Sequence, residues 1–351
     1  MRVAIYGAGA MGTVLGAFVT KNGGSPDLIT RNAAHVAALK KKGAHITGTV
    51  DFTVPVSALL PDEMEGEYDV IFLMTKQRAN KEILQFLLPR LKSDGIVCTT
   101  QNGLPEPSVA AVVGEERCCG CAVSWGATFV GGGEAKLTTR PDGLEFALGT
   151  MYNNGEKLGA VQSVLSRMGK VTIESNFVGA RWSKLAINCA FSGLSAVTGM
   201  TFGQICDDRY ARKVAQSILK ESFDIAVACG IRPAKVQGHD VAKILGYKTA
   251  FKRLISYLLI PIAMKKHRAL VSGMYYDLKA GKKCEIDLVC GVVSDYGARH
   301  TKRRGAEDCA RNRGRLARNF ARQFAGVQRL RITYARLIPP AFCCNYLLSV
   351  L

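Results

Sequence analysis

Two groups of residues have the types and the spacing to do chemistry. The first is Gly7-Ala8-Gly9-Ala10-Met11-Gly12, at G-x-G-x-x-G spacing. In such a run the first glycine permits a tight turn and the second lets the backbone approach a pyrophosphate. The third lets helix and strand pack closely. Phosphates would then meet the free N–H groups and positive end of the following helix. The second group is Lys184 and Asn188, four apart on a predicted helix and so on one face, with Cβ atoms roughly 5–6 Å apart. On spacing alone that pair also fits a surface lysine with a neighbouring amide. Glu285 belongs to a charged turn, residues 279–287, that runs into a helix. It fits a site carboxylate or an ordinary helix N-terminal carboxylate, favoured there by the helix dipole.

The elements that must position these residues read clearly near the N-terminus. Val3-Ala4-Ile5-Tyr6 is a strand, and the run from Thr13 to Val19 is a helix. The glycine turn therefore sits at a strand–helix junction, which a plain surface turn leaves unexplained. Residues 27–30 read as the second strand. Where an acidic residue would bind a ribose 2′-hydroxyl, this chain has Arg31-Asn32, which suits a 2′-phosphate and favours NADP over NAD. Residues 32–42 read as a helix. The apolar run 69–74 is a buried parallel strand ending in Thr75-Lys76-Gln77, and a ligand gathers at such strand ends. A helix is expected over 80–91, then a strand over 95–100 ending in Gln101-Asn102-Gly103. Residues 119–128 and 135–148 are β-rich and should finish the domain with antiparallel strands, residues 170–175 being its last. From Phe177 strand signals vanish, and helices are expected over 181–190, 210–229, 241–256 and 291–299. The fold class is α/β: a Rossmann-type dinucleotide-binding domain over 1–176, an all-helical domain over 177–300 and a basic tail over 301–351.

Composition sets the class. Hydrophobic residues make up 48% and charged residues 21% of 351 positions, enough for two domains with cores and too apolar for general disorder. The N-terminus enters a strand directly, so no signal peptide is read and a cytoplasmic location with reduced thiols is expected. The best membrane candidate, residues 257–264, is too short and carries Pro261. Among 12 cysteines no Cys/His group has zinc spacing, and Cys118, Cys119 and Cys121 crowd too closely for a familiar ligand set, so no metal is expected. The net charge of +19 is uneven: residues 301–351 hold eleven Lys and Arg against Glu307 and Asp308, hence +9 of it. Lysine outnumbers arginine before that point, and only Lys302 is a lysine after it.

Together these pieces resemble the ketopantoate reductase (2-dehydropantoate 2-reductase) family over residues 1 to about 299. The resemblance rests on the glycine turn, Thr75-Lys76, Gln101-Asn102-Gly103, Lys184-Leu185-Ala186-Ile187-Asn188-Cys189, and Cys284-Glu285-Ile286-Asp287 with Gly291. It implies reduction of a 2-keto acid by NADPH on the route to pantothenate and coenzyme A, in a cleft between the two domains. It also implies roles. Lys184 is the proton donor, Asn188 holds substrate, and Glu285 fixes the reacting group or cofactor. Gly7 to Gly12 carry the pyrophosphate, Arg31 and Lys76 grip the 2′-phosphate, and Asn102 and Ala127 border the nicotinamide side. Neither a metal nor a catalytic histidine is required.

The chain also departs from that pattern. The family's substrate-loop serine falls on Gly273, with Ser272 one place early and able to present the same hydroxyl. Two substrate-side asparagines fall on Ser192 and Phe202. These changes leave the reaction type intact and open the choice of 2-keto acid. The tail is Arg-rich where the family has a final amphipathic helix, so it reads as a shifted reading frame or a disordered basic extension. It lacks the interleaved aromatics of an RNA-binding segment and the one-sided apolar face of a membrane-binding helix, so neither partner is expected. The oligomeric state stays open, a homodimer included. The rival readings are a β-hydroxyacid or opine-type dehydrogenase, and a non-catalytic NADPH-binding protein.

Overall fold

The structure, a computed structural model, describes residues 1–235 and 240–303. The basic tail from residue 304 onward lies outside the described residues. The chain divides into two compact units, Met1–Arg181 and the remainder from Trp182.

The first unit contains β1 (Val3–Tyr6), β2 (Asp27–Ile29), β3 (Ala44–Gly48), β4 (Phe52–Val54), β5 (Ser57–Leu59), β6 (Tyr68–Leu73), β7 (Leu91–Thr99), β8 (Cys118–Val123), β9 (Ala127–Gly131), β10 (Glu134–Leu137), β11 (Glu145–Gly149) and β12 (Lys170–Ile173). Eight strands form one sheet in the order β12-β11-β8-β7-β6-β1-β2-β5. From β5 to β8 every pair is parallel. β11 runs antiparallel to β8, and β12 parallel to β11. The apolar runs of β1 and β6 follow from burial on both faces. On one face α1 (Ala10–Lys21) brings Val14 and Leu15 against Ile5, Val70 and Phe72. α2 (Ala33–Lys42) adds Val36 and Leu39 to the same cluster. On the other face α3 (Asn80–Leu87) and α4 (Glu106–Val113) bring Leu84, Leu87 and Val109 against Ala4, Ile71 and Leu73. α5 (Leu158–Leu165) returns to the first face through Val161 and Leu165.

The remaining strands form a second sheet, β4-β3-β10-β9. The later β-rich segments do supply antiparallel pairs, β8 with β11 and β9 with β10, but they divide between the two sheets. β10 also pairs with β3. Local pattern shows that Ala135 and Leu137 are buried on one side; it does not show that their partner lies some ninety residues earlier, at Ile46 to Gly48.

The second unit takes over within α6 (Phe177–Ile187) and continues through α7 (Gly193–Thr198), α8 (Phe202–Asp207), α9 (Arg209–Ala228), α10 (Val241–Leu245), α11 (Ala250–Ala263), α12 (Gly273–Lys279) and α13 (Ile286–Arg303). Its described residues contain no strand. Phe191, Leu194, Ile205, Leu219 and Phe223 build its core. The single helix expected over 241–256 is two: α10 stops at Gly246, and Thr249 starts α11 by accepting the Lys252 N–H at 3.3 Å. Among the described residues no helix is long and apolar enough to cross a membrane.

Candidate active site

The glycine turn follows β1 directly, and each glycine has its own reason. Gly7 has φ +112°, and a Cβ there would lie 2.7 Å from the backbone of Met74 and Thr75, so only glycine fits. A Cβ on Gly12 would strike the Gly7 carbonyl oxygen. The close helix–strand approach is made one turn later, where a Cβ on Gly16 would come within 2.6 Å of Leu28. Gly9 differs: a Cβ there would meet no protein atom within 4 Å. No protein atom excludes a side chain there, so the glycine leaves open space over the turn that a ligand could occupy. Gly9 is also the N-cap of α1 and has no side-chain cap. The amides of the first helical turn have no acceptor inside the helix, which makes this end a site for an anion. A dinucleotide pyrophosphate therefore fits the residues present.

Other sequence-predicted residues sit at neighbouring strand ends. β2, β1, β6 and β7 are adjacent and parallel, and the chain order reverses between β1 and β6, where such sheets open a crevice. Arg31 stands two residues past β2, exposed, with its guanidinium 3.2 Å from Glu82. The Glu82 hydrogen bond holds its pKa above the usual arginine value. Lys76 follows β6 and is exposed at the N-cap of a short turn of helix, Gln77–Ala79. Asn102 is exposed after β7, and its carbonyl accepts the Gln77 side-chain amide. Ala127 opens β9 and is half-buried, in the second sheet.

Sequence reasoning missed the groups that hold these loops. Gln101 is buried, and its amide pairs reciprocally with Asn80, at 2.7 and 3.1 Å, while donating to the Thr75 carbonyl at 2.8 Å. The strand ends of β6 and β7 are thus tied together. Arg181 is 1% exposed and donates to the carbonyls of Gln101 at 2.9 Å and Thr99 at 3.0 Å. Its charge is met by Glu106, fully buried, with Nε donating to Oε1 at 2.7 Å. A Cβ on Gly120 would collide with that carboxylate and lie 2.9 Å from the guanidinium. The only signal in the sequence is a charged residue amid apolar ones, which is indistinguishable from a solvated position.

Cys118 and Cys121 stand three apart, yet β8 turns them to opposite faces, into separate core clusters. Burial pushes the Cys118 thiol well up. Among the described residues no group of His, Cys, Asp or Glu is arranged to hold a metal ion.

In the second unit Lys184 lies on the last turn of α6 and is half-buried, as is Asn188. Asn188 begins a single π-turn, Asn188–Ser192, before the helix resumes as α7. Such turns insert one residue into a helix and recur at functional sites. Against this segment packs the start of α13. Cys189 Sγ donates to the Val289 carbonyl at 3.6 Å, and a Cβ on Gly193 would lie 3.4 Å from Cys290 Sγ and 3.9 Å from Ile286. The Cys290 contact, with burial, pushes the Cys189 thiol well above its ordinary value. Glu285 stands just before α13 rather than in it, between the buried Cys284 and Ile286. Those neighbours cluster with Ala196 of α7. Ser272 joins the same helix: its N–H donates to Ser195 Oγ at 2.9 Å, and its own hydroxyl caps α12 by accepting the Met274 N–H at 3.2 Å. At 5% exposure Ser272 is a helix cap with one proton left to donate. One continuous helical run thus carries Lys184 and Asn188, and its later residues, from Cys189 to Ala196, meet the segments that hold Glu285 and Ser272. Phe202, where the family has a substrate-side asparagine, is core, and Ser192 closes the π-turn.

A largely parallel sheet with a glycine cradle at its crevice, followed by a helical unit, is the plan of a dinucleotide-binding protein of two units. Residues 3–150 match the family described as "Ketopantoate reductase PanE/ApbA", and residues 176–303 match "Ketopantoate reductase PanE/ApbA C terminal". The chain belongs to the ketopantoate reductase family. It is 26% identical to a 2-dehydropantoate 2-reductase of Pyrococcus horikoshii over 301 residues, 84% of this chain and 90% of that one. It is 25% identical to one of Mesorhizobium japonicum over 324 residues, 85% and 91%. Among solved structures it has the fold of D-mandelate dehydrogenase with NADH and anilino(oxo)acetate, with a TM-score of 0.72, 22% identity and coverage of 88% and 95%. It is similar in the same way to the 2-dehydropantoate 2-reductase of Geobacter metallireducens, with a TM-score of 0.70, 23% identity and coverage of 86% and 94%.

Proposed function

We propose that this protein reduces a 2-keto acid to the 2-hydroxy acid with NADPH, and that 2-dehydropantoate is the first substrate to test. The observation that carries this reading is the run from Lys184 through the π-turn at Asn188 to α7, with Glu285 held beside it by Cys284 and Ile286. NADPH, when bound, supplies a hydride to the carbonyl carbon. The glycine turn and the α1 amides hold its pyrophosphate, and Arg31 and Lys76 its 2′-phosphate. Lys184 stabilises the charge growing on the carbonyl oxygen and gives it a proton. Asn188 and Ser272 orient the substrate, Asn102 and Ala127 border the nicotinamide, and Glu285 fixes the reacting end. Where the family has substrate-side asparagines this chain has Ser192 and Phe202, which makes alkyl- and aryl-substituted 2-keto acids the second candidates. NADPH oxidation should be followed with 2-dehydropantoate and with alkyl- and aryl-substituted 2-keto acids. Turnover of none of them, with NADPH bound, would leave a binding protein.

The cofactor preference has its own test. Arg31→Ala should weaken NADPH by roughly 1.5–3 kcal/mol, about 10- to 150-fold, the scale for hydrogen bonds to a charged group. NADH, which has no 2′-phosphate, should be nearly unaffected. The exposed pair with Glu82 offers little resistance, because such pairs are worth at most about 1 kcal/mol. Equal losses with both cofactors would remove the 2′-phosphate assignment.

A further inference from the structure

Next to the glycine turn lies a chain of hydrogen bonds with a fixed direction. The Gly133 N–H donates to His35 Nδ1 at 3.2 Å, so that nitrogen carries no proton. Nε2 must then be the protonated one, and it lies 3.0 Å from Thr13 Oγ1. Thr13 passes its own proton to the Ala8 carbonyl at 3.3 Å. Ala8 is held from its other side as well, its N–H donating to the Ile29 carbonyl at 2.9 Å. Thr13 is fully buried and His35 is 1% exposed. Three elements, α1, α2 and the distant β9–β10 hairpin, are therefore linked to the middle residue of the turn.

We propose that His35 is a positioning residue for the dinucleotide turn: as the Nε2–H tautomer it ties the Gly131-Gly132-Gly133 corner to Thr13, and through Thr13 it fixes the Ala8 peptide under the cofactor pyrophosphate. This rests on the dinucleotide reading above. The same hairpin begins at Ala127, so one ring joins the turn under the phosphates to the strand assigned to the nicotinamide side.

A second proton on the ring breaks the chain, because Nδ1 can no longer accept the Gly133 N–H. The groups that meet the ring are uncharged: Thr13 Oγ1 from α1, the Gly133 N–H of the hairpin, and Phe129 edge-on at 4.8 Å. The nearest charge in the hairpin, Glu134, is turned away to Thr47 at 2.9 Å and to His45. Burial alone holds the His35 pKa below the usual histidine value. The native state thus resists the proton that the unfolded chain accepts. The stabilisation is complete above pH 6.5 and is lost as pH falls from there through the lowered folded value.

The test is equilibrium binding of NADP⁺ across pH 5–8 to the wild type, His35→Gln and His35→Phe. Glutamine keeps an acceptor and a donor but cannot be charged. The 2′-phosphate itself titrates near pH 6, and all three proteins share that contribution. Below the folded pKa of His35, the wild type should lose about tenfold more affinity per pH unit than His35→Gln. His35→Phe should bind weakly at every pH. In the free protein, nitrogen NMR should find Nδ1 unprotonated at pH 7.5, and His35→Phe should speed amide exchange at Ala8 and Gly133. Parallel pH profiles for the wild type and His35→Gln, or a protonated Nδ1, overturn the proposal and leave the dinucleotide reading standing. No NADP⁺ binding by the wild type at any pH overturns both.

Discussion

Lys184→Ala is expected to lower kcat by at least about 10²–10⁴-fold on the true substrate, the range for removing a general acid. NADPH affinity should change little. A lysine ammonium is protonated at neutral pH unless strongly desolvated, so it can act as the acid without special tuning. The alanine removes both the proton source and the positive charge beside the growing alkoxide. Lys184 is half-buried on the turn before Asn188, where the helix passes into its π-turn. Lys184→Arg keeps a charge but holds its proton too tightly and has a different shape, so rescue should be partial. Because Lys184 lies on the helix that continues into the core through Ala186 and Phe191, circular dichroism and NADPH binding should accompany the kinetics. Near-normal turnover would make the lysine an ordinary surface residue. Joint collapse of cofactor binding and kcat would assign it to the cofactor or the fold.

A companion substitution isolates the turn. Gly9→Val places a branched side chain where a Cβ meets no protein atom within 4 Å. The fold should survive while NADPH binding fails, as read by calorimetry and thermal melting. Normal NADPH binding by the variant would make the turn structural.

The first two strands, the helices after them and the strand at β6 were legible in the sequence because local rules decide them, whereas β3, β4 and β5 between residues 44 and 59 were not read. β1 and β6 carry short apolar runs of strand length beside turn residues, the pattern of a buried parallel strand, and Asn32 is a helix cap, as its type allows. The second sheet was not legible, since Ile46 opposite Ala135 is a long-range choice that neither stretch encodes alone. The π-turn was hidden for another reason. Lys184 and Asn188 sit four apart whether the helix continues regularly or widens, so spacing sees the pair and misses the distortion after it. Glu285 reads as part of a charged turn that runs into a helix, and it does stand just before α13. His35 looked like one polar residue on a lysine-rich helix. Only the fold shows that it is inside, with both ring nitrogens engaged.

The same blindness covers Arg181 and Glu106, whose substitution should have the largest effect on stability. Arg181→Met leaves the Glu106 carboxylate buried without its counter-charge, and breaking a buried pair in this way costs about 3–5 kcal/mol. For a unit of this size that lowers the melting temperature by about 6–20 °C. The pair itself is not the reason for the loss. Moving two charges out of water consumes most of what their attraction returns, so Arg181→Met with Glu106→Leu should recover much of the stability of Arg181→Met alone. What the double variant cannot restore are the bonds Arg181 donates to the Thr99 and Gln101 carbonyls, at 3.0 and 2.9 Å. Those bonds hold the segment that presents Asn102, so KM for NADPH should stay raised after the melting temperature has recovered. Gly120→Ala, whose Cβ would collide with the Glu106 carboxylate, should destabilise in the same region. Full recovery of both stability and KM in the double variant would reduce the pair to packing. Recovery of neither would mean that the carbonyl bonds, and not the stranded charge, dominate the cost.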